Sequence, residues 1–298
     1  MHTLAIVGSI GLDDIETPFG KKENLLGGAG SYAAVAASFF SQPYLIGVVG
    51  EDIPHEHLEF LQLRKINIDG LEKKGKTFRW QGMYEYDMNV AKTLKTELNN
   101  FQEYKPKVPS HSKNADIVFL TNNAPEVQRA ALEQFTKPKL IVMDTMNFWI
   151  QQDKDAVLEM IKNVDILVVN DQEARMLFDS TNLYAAAQKA LSHGLKAVII
   201  KKGEHGALLF TPQFHFSLGG YPLEDVFDPT GCGDCFGGAF AGYLAKHGIS
   251  SENLKKSVVY GSVIASFNAQ DFSCDKLKEI STEDIECRFK GFKEMHEF

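Results

Sequence analysis

Asp228-Pro229-Thr230-Gly231-Cys232-Gly233-Asp234-Cys235-Phe236-Gly237-Gly238-Ala239-Phe240 places a turn, two closely spaced glycines and an acid ahead of a small-residue segment. That segment predicts a helix over Asp234–Lys246. Glycines at 231 and 233 let successive backbone N–H groups converge on one point. The helix that follows directs its positive dipole end to the same point. An anion fits there, and Asp234 stands beside it to take a proton. The combination predicts phosphoryl transfer to a hydroxyl.

Outward from this stretch, short β-branched runs alternate with helical patterns. Leu4–Ile10, Tyr44–Val49, Asp116–Thr121, Leu140–Asp144, Ile166–Asn170 and Ala197–Lys201 read as buried strands. Helices are expected over Gly30–Phe40, Pro54–Lys65, Pro125–Phe135, Asp153–Ile161, Asp171–Phe178, Leu183–Ser192 and Asn253–Phe267. This alternation builds a mostly parallel sheet with helices on both faces. Two segments break the rhythm. Thr77–Asp87 is aromatic and alternating, like an antiparallel strand with Thr93–Tyr104 as partner, and Ile15–Leu25 reads as a hairpin. Together they predict a small β lid; a meander packed on the body is the plainer alternative.

The chain has 298 residues, 44 % of them hydrophobic and 23 % charged, enough apolar material for a full core in one large α/β domain or two smaller ones. A net charge of −8 with no long basic run excludes a general nucleic-acid binder. The N-terminal residues Met1–Gly8 lack a signal-peptide pattern and no apolar run is long enough to span a membrane. Four cysteines without a secretion signal fit a cytoplasmic chain with reduced thiols. Cys232 and Cys235 form a C-x-x-C without a second pair at zinc spacing, and His55 and His57 lie on different faces of their expected helix.

A second glycine motif, Gly27-Gly28-Ala29-Gly30-Ser31-Tyr32-Ala33-Ala34-Val35-Ala36-Ala37, lies about two hundred residues upstream of the first. With it the chain resembles the ribokinase-like (PfkB) carbohydrate kinase family. The upstream motif is similar to that family's Gly-Gly turn before an Ala-rich helix, and Asp228–Asp234 to its D-T-x-G-A-G-D. Between them, Gly8–Asp13 is similar to the opening strand and sugar-binding turn, and Gly50-Glu51-Asp52 follows the second strand. Asn170-Asp171-Gln172-Glu173 matches N-x-x-E, and Lys202–Ala207 the glycine turn before the nucleotide. The motifs stand in family order. Tyr32 replaces a frequent Asn beside the Gly-Gly turn, Gly11 replaces an Asn before the substrate Asp, and Pro229 and Cys232 replace the commoner Thr and Ala.

The resemblance implies a single ribokinase-like domain over residues 1–298. Its fold would be a three-layer α/β/α sandwich with lid strands within about 12–26 and 75–104. It implies an ATP-dependent kinase with Mg²⁺ and, at Asp228 and Thr230, a monovalent-cation site suited to K⁺. Asp234 is then the general base, a role worth on the order of 10²–10⁴-fold; a capping Asp worth about 1 kcal/mol is the alternative. Being at a helix N-terminus, Asp234 is expected to be ionised at neutral pH. Gly231, Cys232 and Gly233 offer amides to the transferring phosphoryl group, Cys232 contributing its N–H rather than its sulfur. Asp13 (with Asp14 as competitor), Gly27, Gly28, Tyr32 and the lid's Trp80 are placed at the substrate.

Asn170 and Glu173 would order nucleotide phosphates and the water shell of Mg²⁺, and equally form a capping box. Lys201 or Lys202, Gly203 and Gly206 would border the ATP phosphates and ribose, and Asn268 the adenine. Asp144 and Asn147 end a strand on the ligand side, and Phe78, Trp80, Tyr84 and Tyr86 form a lid stripe suited to stacking, to core or to a dimer surface. The acceptor is a hydroxymethyl group on a sugar or nucleoside. A hydroxymethyl-heterocycle (vitamin-type) kinase and a non-catalytic sugar- or nucleotide-binding protein are the alternatives. A dehydrogenase is disfavoured because Gly8–Gly11 lacks the full G-x-G-x-x-G.

Overall fold

The computed structural model describes residues 1–297. β1 (Leu4–Val7) is followed by the hairpin β2 (Gly11–Thr17) and β3 (Gly20–Gly27), then α1 (Ala29–Ala37), β4 (Tyr44–Val49), α2 (His55–Leu63) and β5 (Asn67–Lys73). A second hairpin, β6 (Phe78–Met83) and β7 (Lys92–Glu97), precedes β8 (Ile117–Leu120), α3 (Pro125–Leu132), β9 (Leu140–Asp144), α4 (Asn147–Gln152) and α5 (Lys154–Ile161). The chain continues through β10 (Ile166–Asn170), α6 (Asp171–Leu177), α7 (Leu183–Leu191), β11 (Ala197–Lys201), β12 (Ala207–Phe210) and β13 (His215–Leu218). It ends with α8 (Cys232–His247), α9 (Ser251–Asn268), α10 (Asp275–Glu279) and α11 (Thr282–Met295).

Nine strands form the main sheet in the order β13-β12-β11-β10-β9-β8-β1-β4-β5, parallel except at β12 and β13. The strands are buried on both faces, so their side chains divide by parity. Ile6, Phe119, Val142, Val168 and Ile199 pack toward α1, α8 and α9. Val7, Val118, Met143, Leu167 and Val198 pack toward α3, α5, α6 and α7. The result is a three-layer α/β/α sandwich. From β1 the sheet grows one way through β4 and β5 and the other way through β8 to β11. This reversal opens a crevice at the carboxyl ends of the strands, where open α/β sheets bind ligands.

The lid is a separate four-stranded sheet, β3-β2-β6-β7. β6 runs antiparallel to β7 as the alternation predicts, but parallel to β2. The expected strand Thr93–Tyr104 stops at Glu97 and passes into a 3₁₀ turn over Asn99–Phe101. β1 also stops at Val7, short of the expected Ile10, because Gly8 is packed against Gly30 and Thr121 and the chain there turns toward the lid. β5, β12, β13, α4, α10 and α11 lie outside the sequence-based expectations. β5 and β13 are edge strands with polar, partly exposed residues, which blurs their pattern.

Candidate active site

The two glycine motifs meet because α1 and α8 pack without side chains between them. A Cβ on Gly238 would overlap the Ala33 carbonyl, and one on Gly242 would stand 2.9 Å from Ala37 Cα. Close backbone approach at this seam brings the N-terminus of α8 over the N-terminus of α1. Gly231 caps α8 with φ 75° and ψ −3°, a left-handed conformation that glycine adopts without penalty. Its Cα rests on the Tyr32 ring, which leaves no room for a Cβ. Tyr32 is 1 % exposed and forms the floor of the turn, so its ring is not the open substrate contact expected from sequence. Its hydroxyl lies near Asp13, close enough to lower that carboxyl's pKa, yet makes no hydrogen bond of ordinary geometry.

α8 begins at Cys232, two residues before the expected start, which puts Asp234 in its first turn. The Cys232 N–H donates to Pro229 O at 3.1 Å, so this amide is committed to the turn rather than free for an anion. The N–H groups of Gly231, Gly233 and Asp234 have no backbone partner among the described residues. Of the expected 231–233 set, the Gly231 and Gly233 amides remain without a backbone partner and the Cys232 amide does not. The Cys232 sulfur is 3.4 Å from Ala265 O, and burial pushes the thiol up to about 12, against the direction a helix N-terminus alone would give.

Four charged side chains gather below the hole, each at the end of a parallel strand or the start of a helix. Lys201 Nζ, at the end of β11, lies 2.8 Å from Asp144 Oδ2 at the end of β9. Asp144 is 2 % exposed, and its second carboxylate oxygen accepts the Thr145 N–H at 2.8 Å. Burial raises Asp144 and Lys201 pulls it back. Burial also works against the charge of Lys201, but Asp144 and then Glu173 outweigh it and keep the ammonium protonated. A Cβ on Gly233 would lie 3.1 Å from Lys201 Nζ, so this cation stands directly beneath the glycine turn. Lys201, rather than Lys202, is the lysine inside the site.

Glu173 is 5 % exposed and closes a capping box with Asn170. Its Oε2 accepts the Asn170 N–H at 2.7 Å, and Asn170 Oδ1 accepts the Glu173 N–H at 2.8 Å. Burial pushes Glu173 up to about 8, with Lys201 opposing. Asp234 is pushed up to about 7 by burial and by the Asp144 charge, again with Lys201 opposing. Its surface remains partly open to solvent. The helix end does not hold Asp234 as an ordinary ionised carboxylate, because burial, and then the Asp144 charge, outweigh the dipole. Among the described residues no group of three or more acids, histidines or cysteines could hold a metal ion directly.

The lid supplies the opposite wall. Asp13 is buried on β2, raised well above the ordinary range by burial and by Asp228, Asp234 and Asp14. A Cβ at Gly27 on the neighbouring strand would overlap the Asp13 carboxyl, so Gly27 makes room for this acid rather than for a ligand alone. Gly28 has φ 88°, and its Cα packs against Ser9 O. Asp14 instead faces outward and accepts the Asn24 N–H at 2.8 Å. Trp80 pairs with Asp13 across β2 and β6 and packs with Ile15 and Tyr84 on the same lid face. Tyr86 is fully exposed, and Phe78 packs on Phe101 at 5.9 Å, so the aromatic stripe divides between wall, hinge and surface.

Asp228 fastens the loop before α8. Its carboxylate oxygens accept the N–H groups of Thr230 at 2.9 Å and Ser273 at 3.0 Å, and the Thr230 hydroxyl meets the Tyr84 hydroxyl at 3.1 Å. Asn268 is 0 % exposed and donates to Thr230 O at 2.9 Å, while the Cys235 thiol lies 3.4 Å from its Oδ1. It is a clamp on the loop with no surface to offer adenine, a correction to the expected nucleotide contact. Gly203 (φ 54°) and Gly206 (φ 86°) shape the turn after β11, where Glu204 accepts from Asn89 of the lid loop at 3.0 Å. This lid-to-body contact was not foreseen, nor were Tyr84 and Ser273 as loop anchors. Their partners are far apart in the chain and no local pattern marks them.

Residues 16–280 match the family model described as pfkB family carbohydrate kinase. The chain is 28 % identical over 251 residues to the cytidine kinase of Thermococcus kodakarensis, covering 82 % of this chain and 89 % of that one. It is 27 % identical over 299 residues to the ribokinase of Lactococcus lactis, covering 94 % and 96 %. The solved structure of Burkholderia thailandensis nucleoside kinase in complex with ADP-inosine superposes with a TM-score of 0.75 over 97 % of this chain and 95 % of that one, at 18 % identity. No helix among the described residues is long and apolar enough to cross a membrane. An α/β/α sandwich with a β lid, a glycine-capped helix presenting an acid, and a match along nearly the whole sequence place this chain in the pfkB family of carbohydrate kinases.

Proposed function

We propose that this kinase transfers the γ-phosphoryl group of ATP to the hydroxymethyl group of a ribosyl compound, with a nucleoside as the first candidate. The observation that carries the reading is Asp234, in the first turn of α8 between the unpartnered amides and the Lys201–Asp144 pair. The acceptor oxygen attacks the γ-phosphorus, the bond to the ADP leaving oxygen breaks, and the acceptor proton passes to Asp234. A base with a pKa near 7 is matched to that transfer at neutral pH. The amides of Gly231 and Gly233 stabilise charge on the transferring oxygens, with Lys201 behind them. Asp13 grips acceptor hydroxyls from the lid side.

The residues fit Mg²⁺ in its usual nucleotide-bound form. Glu173 is a nearly enclosed carboxyl whose raised pKa falls when a dication stands near. Without a cluster of acids, the ion would be held mainly by phosphates and water, with Asn170 and Glu173 orienting that shell. Bound there, Mg²⁺ would neutralise phosphate charge. The loop ends Asp228 and Thr230 are the place for K⁺, where a cation would bear on the same turn.

Support for a nucleoside comes from the similarity to cytidine kinase and from the Trp80 indole on the lid face beside Asp13, where a base can stack. A free sugar is the second reading, favoured by the similarity to ribokinase. ADP release across cytidine, other nucleosides, ribose and further sugars separates them. Turnover on nucleosides supports the first reading, and turnover on free sugars alone replaces it with the second. No turnover on any compound, with ATP bound, would favour a binding protein.

A further inference from the structure

Four connections join the lid to the main sheet, and two of them run side by side. Residues 74–77 lead from β5 into β6, and residues 98–105 lead back from β7. They are stitched by the Asn100 N–H donating to Lys76 O at 3.1 Å and Asn99 Nδ2 donating to Thr77 O at 2.8 Å. Between them lies an open cleft of about 640 Å³, on the far side of β4 and β5 from the loop before α8 and lined in part by Gly75, which has φ 62°. That volume suits a small metabolite.

The lining of the cleft is chemically unusual for this chain. Lys74, Lys76, Lys105 and Lys107 line it against Glu72 and Glu103, a local excess of positive charge on a protein of net charge −8. Lys107 is 3.3 Å from Glu72; Lys74, Lys76 and Lys105 form no ion pair with any of the described residues. Tyr104 also lines the cleft. It is 7 % exposed, with a buried hydroxyl that has no hydrogen-bond partner, and both polar atoms of the Asn100 amide are buried without partners as well. These atoms are enclosed in the cleft wall, so the two side chains shape the cleft rather than reach into it. Tyr104 stacks on Phe101 at 5.7 Å, and Phe101 packs on Phe78 at the start of β6, so the cleft is joined by packed rings to the lid.

We propose that this cleft binds a small phosphorylated metabolite, with its phosphate among Lys74, Lys76 and Lys105 and its remainder against the wall formed by Asn100 and Tyr104, and that occupancy ties the two hinge strands together. The site is distinct from the phosphoryl-transfer site, and binding to it does not depend on the identity of the acceptor.

Calorimetric titration with ribose 5-phosphate, and separately with inorganic phosphate, tests the site. Wild type is compared with the Lys76→Ala/Lys105→Ala variant, both saturated with a non-hydrolysable ATP analogue. Binding at the active site contributes equally to both proteins and drops out of the comparison. Loss of two charge-assisted contacts should weaken ribose 5-phosphate by about tenfold or more. Hydrogen exchange over residues 74–77 and 98–105 should slow on addition of the sugar phosphate in wild type and not in the lysine variant. Equal affinities in the two proteins, or no binding of either probe, would overturn the proposal. Inorganic phosphate binding as tightly as the sugar phosphate would overturn the metabolite assignment.

Discussion

Lys201 Nζ and Asp144 Oδ2 lie 2.8 Å apart in a largely buried recess beneath the turn that presents Asp234. The pair sets the electrostatics of the whole site, since the Asp144 charge raises Asp234 and the Lys201 charge opposes that rise. Removing one partner leaves the other charge buried and alone. Lys201→Met should therefore destabilise the fold by about 3–5 kcal/mol in urea unfolding. The double variant Lys201→Met/Asp144→Asn should recover much of that loss. A single variant as stable as wild type would show that water reaches the recess.

Asp234→Asn removes the proton acceptor and keeps the shape. Turnover should fall by at least about 10²-fold while acceptor affinity by calorimetry changes little. Near-normal turnover would assign Asp234 to capping α8 instead of to chemistry.

The raised carboxyls predict two opposite responses to pH. As the base must be ionised, kcat/KM should rise with pH and level off above about 7. Stability of the ligand-free protein should run the other way. Asp234 and Glu173 hold protons more tightly when folded, near 7 and 8, than at their ordinary values of 3.8 and 4.5. Between those limits the folded state binds more protons, so the contribution is full at low pH and lost as pH rises through the folded values. Melting curves should show this component falling between about pH 4 and pH 8, with a smaller fall in Asp234→Asn.

Thiol chemistry checks the packing of the α8 turn. Burial pushes Cys232 and Cys274 up to about 12 and holds Cys235 well above its ordinary value, whereas Cys287 is exposed. A thiol reagent at mild alkaline pH should modify Cys287 quickly in the native protein, the half-buried Cys232 slowly because its thiol stays protonated, and Cys235 and Cys274 only after denaturation. Modification of Cys232 as fast as that of Cys287 would contradict the raised pKa of its thiol.

The seam between α1 and α8 has no spare volume at Gly238. Gly238→Ala should cost about 1–3 kcal/mol by overpacking, and should reduce activity by separating the two glycine turns. An unchanged melting temperature would mean that the helices are further apart than described.

Much of this architecture was readable from sequence because its signals are local. Six of the parallel strands announce themselves as short apolar runs, and the αL cap at Gly231 follows from glycine at the head of a helix. The capping box of Asn170 and Glu173 is a spacing of three. What could not be read depends on distant chain segments meeting. Asp234 is raised rather than lowered because the fold buries it and sets Asp144, ninety residues earlier, beside it. Tyr32 became a floor because Gly231 rests on its ring, and Asn268 a clamp because Thr230 O is within its reach. The edge strands β5 and β13 are too polar to stand out from loops.

Asp13 belongs to the lid sheet, whereas Asp234 belongs to the helix seam of the body. In the proposed reaction the acceptor's handle and the proton acceptor therefore travel on different parts of the molecule. In that reaction a nucleotide bound with the lid open would meet a base with no oriented hydroxyl in front of it, which would limit wasteful hydrolysis. A lid that lifted after transfer would draw the product off the base by the same movement that readmits solvent, so that commitment and release would be two directions of one motion.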